Sequence, residues 1–380
     1  DEISVGSSAQ QYVNILGDKL RGKRAITNVS SGFEMKISNS LQNGNVPLVL
    51  PAGQYCYSEP THYVVDKWDK NTYVPYFDPR PINERTLPDD GTKYPYVTVG
   101  DFLEDTIVKV GYEFNSEAFF DGNYISKDNK HSFILPLKKT FFDYFTVQDL
   151  YEKISGKNRI EVVAIEGNSV KVILRIPIKD GGFIEYEKIY YPRENADASS
   201  NKGAIIGEND GKEFTLGLYP NIKYGDLAKK IKPFYRVALV DRDTVFNQNS
   251  SYKLSFYDNS NSEVAVESVV RRNRNVDDSR FDETFADYST YALESEFQYI
   301  ALSDENDRNS HGVIIPKFAT RTGGRKFRFA IDFGTTNTHI EYSIDGAQYS
   351  NAFEITQKDM QIQKMHITDD TFVNNIFNSD

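Results

Sequence analysis

Residues 159–191 read RIEVVAIEGNSVKVILRIPIKDGGFIEYEKIYY. Apolar and polar side chains alternate with period two over 160–165, 170–178 and 183–191, and a half-buried strand is the backbone that turns every second side chain to one face. The joints are Glu166-Gly167-Asn168-Ser169 and Lys179-Asp180-Gly181-Gly182, and their Gly and Asn residues tolerate the positive φ of tight hairpin turns. The stretch therefore predicts three antiparallel strands joined as a meander.

Downstream the same period returns in short runs at 214–218, 235–240, 252–257, 264–270, 291–294, 297–302 and 313–318, separated by Asn, Asp and Ser turns. Short strands at this spacing predict an antiparallel, sandwich-like domain at 213–320. Between it and the meander lies RENADASSNKGAIIGENDGK (193–212), polar and rich in turn-formers, which reads as a linker or long exposed loop. Upstream, Tyr12, Ile15, Leu16 and Leu20 recur at helical spacing, and residues 47–95 are dense in Pro, Tyr and Asp-Gly steps, an irregular surface. Two later stretches share a spelling, Thr98-Val99-Gly100-Asp101 and Thr146-Val147-Gln148-Asp149. In each, Thr can cap the amide three residues on while Asp sits near the positive end of the helix dipole, so each predicts a short capped helix. The run HSFILPLKKTFFDYF (131–145) is apolar enough to be core. The expected fold class is α+β and mainly β, with an α+β domain at 1–192, the sandwich-like domain at 213–320, and a third unit at 325–380.

Composition narrows the function. The chain has 380 residues, with 44 Lys and Arg against 55 Asp and Glu, a net charge of -11 that disfavours general binding to nucleic acid or anionic membranes. Its 25 Tyr and 25 Phe argue against a disordered polymer. Cys56 is the sole cysteine, which excludes an internal disulfide framework and a multi-cysteine zinc site. No apolar run reaches the roughly 18 residues that span a bilayer, and the opening DEISVGSSAQQ lacks a signal-peptide pattern. The expectation is a soluble, cytoplasmic protein with a protein partner and neither nucleic acid nor membrane as a target. The chain opens at Asp1 with no Met before Met35, and reads as a processed product or an excised fragment.

Chemistry concentrates in FRFAIDFGTTNTHIEYSIDG (327–346). An alternating strand with Phe327, Phe329 and Ile331 runs through Asp332 into a Gly-Thr-Thr-Asn turn, and a second strand ends at the hairpin pair Asp345-Gly346. Gly334 allows close backbone approach to a ligand, the following amides and hydroxyls can donate to phosphate oxygens, and a carboxylate at the strand end can hold a hydrated divalent cation beside them.

These residues resemble the first phosphate motif of the actin, hexokinase and seventy-kilodalton chaperone superfamily of ATPases, and look most like the chaperone branch. Asp332, Phe333, Gly334, Thr335, Thr336, Asn337 and Thr338 match its pattern of Asp, hydrophobe, Gly-Thr-Thr-Asn-Ser, with Thr in place of the final Ser. The resemblance implies that Asp332 holds a magnesium ion through water and that Gly334, Thr335, Thr336 and Asn337 contact the phosphates of ATP. It covers only the end of the chain. The family's second Gly-rich phosphate hairpin and its Gly-Gly adenosine motif have no counterpart, since Gly181-Gly182 and Gly323-Gly324 lack the flanking pattern. The expectation is thus the start of an ATPase domain, ending after a third strand at 348–355. ATP and magnesium would then bind in a longer parent protein, and this chain alone would bind neither tightly and would be inactive. A structural or adhesive β-rich protein without nucleotide chemistry is the alternative.

Other candidates are weaker. His62, His131, His311, His339 and His366 show no metal-ligand spacing and read as structural or exposed. Asp304-Glu305-Asn306-Asp307 lacks the spaced ligands of a calcium loop, and the basic stretches at 271–274 and 321–328 read as solvated faces. Cys56 and Trp68 carry no partner pattern for chemistry.

Overall fold

The computed structural model describes residues 46–47, 77–81, 84–85, 96–126, 131–177, 183–207, 211–212, 214–225, 228, 231–241, 252–272, 287–304, 310–320, 326–333, 338–353 and 362–366. Most of what they form is strand. Strand β1 (Thr106–Val110) and the short β2 (Ser132–Phe133) precede the meander β3 (Ile160–Ala164), β4 (Val170–Pro177) and β5 (Phe183–Tyr191), and β6 (Lys202–Ile206) follows it. The meander pairs antiparallel as its alternation predicts, with Ile160 opposite Leu174 and Val170 opposite Tyr190. These strands form one six-stranded sheet in the order β2-β1-β6-β5-β4-β3.

Strand β6 corrects the reading of 193–212 as a linker. It lies parallel to both neighbours, Ala204 opposite Thr106 on one side and Gly203 opposite Tyr190 on the other. The polar half of the stretch is a turn, in which the Asp197 carboxylate accepts from Ser199 N at 3.0 Å and from the Ser200 hydroxyl at 2.7 Å. The other half holds only a short apolar run, too brief to stand out in sequence, yet Ile205 is buried. Gly203 makes the insertion possible, because a Cβ there would lie 2.2 Å from Cδ1 of Tyr190.

The chain then continues through β7 (Phe214–Tyr219), β8 (Ile222–Lys223), β9 (Tyr235–Asp241), β10 (Tyr252–Tyr257), β11 (Val266–Arg272) and β12 (Asp287–Leu293). After these come β13 (Tyr299–Asp304), β14 (Ser310–Ile314), β15 (Ala319–Thr320), β16 (Phe327–Phe333), β17 (Thr338–Ile344), β18 (Asn351–Ala352) and β19 (Gln363–Lys364). A five-stranded sheet has the order β11-β12-β9-β7-β19, and a three-stranded sheet the order β10-β13-β14.

Two hydrophobic cores result, and they share strands. Ile107 belongs to the core under the six-stranded sheet, while Val108 and Val110 belong to the core between the five- and three-stranded sheets. Alternation deals Tyr299 to the first core and Ile300 to the second, and likewise Val313 and Ile314. Each core thus draws on residues from both sides of the boundary expected between 1–192 and 213–320. The apolar run at 131–145 is core as expected, with Phe133, Leu135, Leu137, Phe141 and Phe145 buried.

Helical elements among the described residues are short 3-10 turns, so the α part of the expected α+β domain is confined to them there. The two capped stretches are such turns, at Val99–Phe102 and Gln148–Tyr151. The predicted Thr cap is formed at Thr146, whose hydroxyl accepts from Asp149 N at 3.3 Å, and in both turns the Asp carboxylate adds a bond back: Thr98 N donates to Asp101 Oδ2 at 2.6 Å, and Thr146 N donates to Asp149 Oδ2 at 2.6 Å. The helical pattern at 12–20, most of 47–95, Cys56 and Trp68 lie outside the described residues.

Residues 363–366 return to the body. β19 pairs with β7, Gly217 opposite Lys364, and Met365 is fully buried in the second core. β15 pairs with β8, which follows β7 closely in the chain. Residues 326–353 therefore form an excursion whose two ends are held at neighbouring places, and the last described residues of the expected 325–380 unit belong to the body.

Candidate functional site

The excursion is a separate three-stranded antiparallel sheet in the order β16-β17-β18. Its register runs from Phe327 opposite Ile344 to Phe333 opposite Thr338. The second turn forms at the Asp345-Gly346 pair, with Gly346 at φ 89° and Ala347 N donating to Ile344 O at 2.8 Å. Gly334, Thr335, Thr336 and Asn337 themselves lie outside the described residues.

Alternation sorts this sheet into two unlike faces. One carries Phe327, Phe329, Ile331 and Phe333, with Tyr342 and Phe353 packed beside them: the Phe329 and Phe353 ring centroids are 5.7 Å apart, and those of Tyr342 and Phe353 are 6.1 Å apart. That face is uncovered, for Phe329 keeps 55% and Phe333 80% of its surface. The other face is polar. Asp332 stands directly opposite His339, His339 Nε2 lies 3.3 Å from Glu341 Oε1, and the Ser350 hydroxyl donates to Glu341 Oε2 at 2.7 Å. These contacts, Ser350 first, hold the Glu341 carboxyl below its ordinary pKa. Arg328 lies 3.5 Å from Asp345 on the same face.

The strand thus delivers Asp332 to an exposed polar face one residue before the last paired position of the hairpin. A lone exposed carboxylate suits a cation that keeps its own water shell, whose remaining ligands would come from phosphate oxygens. It does not suit a cation held by protein alone, and no group of three His, Cys, Asp or Glu positioned to hold a metal occurs among the described residues. The apolar alternation of both strands was legible in the sequence. That the face stays bare was not, because alternation reports which side chains share a face and is silent on what covers it.

His311 and His366 are buried, and His366 Nδ1 lies 2.7 Å from the Thr215 hydroxyl. Buried cations have internal partners: Arg85 makes bonds of 2.7 and 2.8 Å to the two oxygens of Asp101, and Lys188 reaches Asp105 at 2.8 Å. Burial pulls the Lys188 ammonium below its ordinary pKa, and Asp105 opposes that pull. Among the described residues no helix is long and apolar enough to cross a membrane.

No protein family, curated protein or solved structure matches this chain.

Proposed function

We propose that the 327–346 hairpin is the first phosphate-binding element of an actin- or chaperone-like ATPase domain in a longer cytoplasmic protein. The β-rich body before it, including the sandwich-like pair of sheets over the second core, would recognise a protein partner. The observation that carries this reading is the match of residues 332–338 to the family motif, set on a hairpin that presents Asp332 on an exposed polar face before the turn. The bare apolar face supports it, since a sheet of this kind within a larger domain needs a covering layer.

In that domain magnesium would supply charge neutralisation on the phosphates. Asp332 would orient the cation through water, Gly334 would admit the phosphates close to the backbone, and Thr335, Thr336 and Asn337 would donate to their oxygens. Nucleotide state would then be coupled to partner recognition by the body. Calorimetry on the longer protein should detect Mg-ATP, and Asp332→Asn should weaken the metal-dependent part, because an amide keeps the shape without the charge. Full affinity in that variant, or no binding by the wild type, would remove the reading.

A second reading is a structural or adhesive β-protein that uses the excursion as a binding arm. It is favoured by the return of residues 363–366 to the body, with Met365 fully buried.

A further inference from the structure

Strand β16 is an edge strand: β17 lies on one side of it and no strand on the other among the described residues. Asp345 N donates to Lys326 O, and with Phe327 opposite Ile344 the even-numbered residues of β16 spend their backbone groups on β17. The amides and carbonyls of Phe327, Phe329, Ile331 and Phe333 therefore point out of the free edge. All seven residues of the strand are exposed. A long, exposed, apolar edge with unpaired backbone groups is a template for another strand.

We infer that this edge pairs antiparallel with the same edge of a second copy of the chain, centred on Ala330. The sequence of the strand is self-complementary about that point. Phe327 meets Phe333 of the second copy and Phe329 meets its Ile331, each pair exchanging free-edge amides and carbonyls. On the polar face Arg328 meets Asp332 of the second copy, and by two-fold symmetry Asp332 meets its Arg328. These charged pairs fall at the positions without backbone bonds, where side chains on opposed strands approach closest. Registers shifted by one residue would aim bonded edges at each other, and registers shifted by two would break the reciprocal match. The interaction does not rest on nucleotide binding. It joins two three-stranded sheets into one of six strands with a continuous apolar face.

Sedimentation velocity over a concentration series tests it on the full 380-residue chain. Arg328→Asp sets Asp against Asp and Asp332→Arg sets Arg against Arg. Because symmetry doubles each clash, each single reversal should weaken the dimer by about tenfold or more. The double reversal should restore it to near the wild-type constant, and all the altered side chains are exposed, so the fold should be untouched. In a Cys56→Ser background, Ala330→Cys should form a disulfide-linked dimer across the two-fold, whereas Arg328→Cys should not. A wild type that stays monomeric, a dimer indifferent to the single reversals, or a double reversal that fails to rescue would each overturn the inference. Magnesium-dependent nucleotide binding is measured on the longer protein with Asp332→Asn, so the two readings can fail separately.

Discussion

Replacing Gly203 by alanine distinguishes a buried strand from a linker by the sign of its effect. Gly203 has no left-handed requirement, and in an exposed linker the added methyl would restrict the unfolded chain and stabilise the protein by about 0.4–1 kcal/mol. In the observed sheet the new Cβ would sit 2.2 Å from Cδ1, 2.5 Å from Cε1 and 3.0 Å from Cγ of Tyr190. That ring cannot step aside. It is fully buried, and its hydroxyl donates to Glu104 O at 2.9 Å. Overpacking of this kind costs about 1–3 kcal/mol, so the expected outcome is destabilisation of that size in urea unfolding followed by far-ultraviolet circular dichroism. Tyr190→Leu in the same chain should relieve part of the clash, giving a favourable coupling in a double-mutant cycle. Hydrogen exchange supplies a local reading, because Ala204 N donates to Asp105 O at 2.9 Å and should lose protection in Gly203→Ala. A neutral or stabilised Gly203→Ala would refute the placement of β6 between β1 and β5.

The two Thr-capped turns should respond unequally to loss of their Asp. Asp149→Ala removes a cap and a 3.9 Å contact to the buried Arg159, at about 0.5–2 kcal/mol, whereas Asp101→Ala removes two bonds of 2.7 and 2.8 Å and leaves the buried Arg85 guanidinium with only the carbonyls of Arg80 and Asp78, and should cost about 3–5 kcal/mol; equal values would show that the Arg85 pair contributes no more than the longer Arg159 contact. Lys223 should give the protein an alkaline stability slope. Its ammonium lies 4.4 Å from the Phe318 ring centroid, and burial pulls its pKa down to about 8 from 10.5, with Glu296 opposing. Between those values the unfolded state binds more protons, so this group's penalty is complete below pH 8 and is relieved as pH rises toward 10.5. The difference in unfolding free energy between wild type and Lys223→Met should therefore change through that window, and a constant difference would rule the shifted lysine out.

What the sequence revealed and what it hid follow from the reach of each signal. The meander was legible because its strands are antiparallel neighbours in sequence, joined by turns whose Gly and Asn residues announce themselves; Gly167 and Asn168 do adopt positive φ, at 71° and 55°. Capping at Thr98 and Thr146 was legible for the same reason, being a bond between residues three apart. Strand β6 was not. A parallel strand needs no turn signal at its ends, and its partners Thr106–Val110 and Phe183–Tyr191 come from elsewhere in the chain. The sharing of strands between two cores was equally hidden. Ile107 and Val108 look like a break in alternation, and they are instead one strand with a core on each side.

The hairpin at 327–346 shows where a local reading stops short of function. Its strands, its register and the placement of Asp332 on the polar face follow from alternation and turn chemistry alone, and they set a carboxylate just before the Gly-Thr-Thr-Asn segment. Function depends on a further fact, the bareness of Phe327, Phe329, Ile331 and Phe333, which makes the sheet a surface in need of a partner. A covering layer of the same domain would make the hairpin half of a nucleotide cleft. A second copy on the β16 edge would make it a joint between chains. Both draw on one property of this strand: Asp332 and Arg328 lie on its polar face while its free-edge backbone groups belong to the apolar residues between them, so charge and hydrogen bonding can specify a neighbour independently.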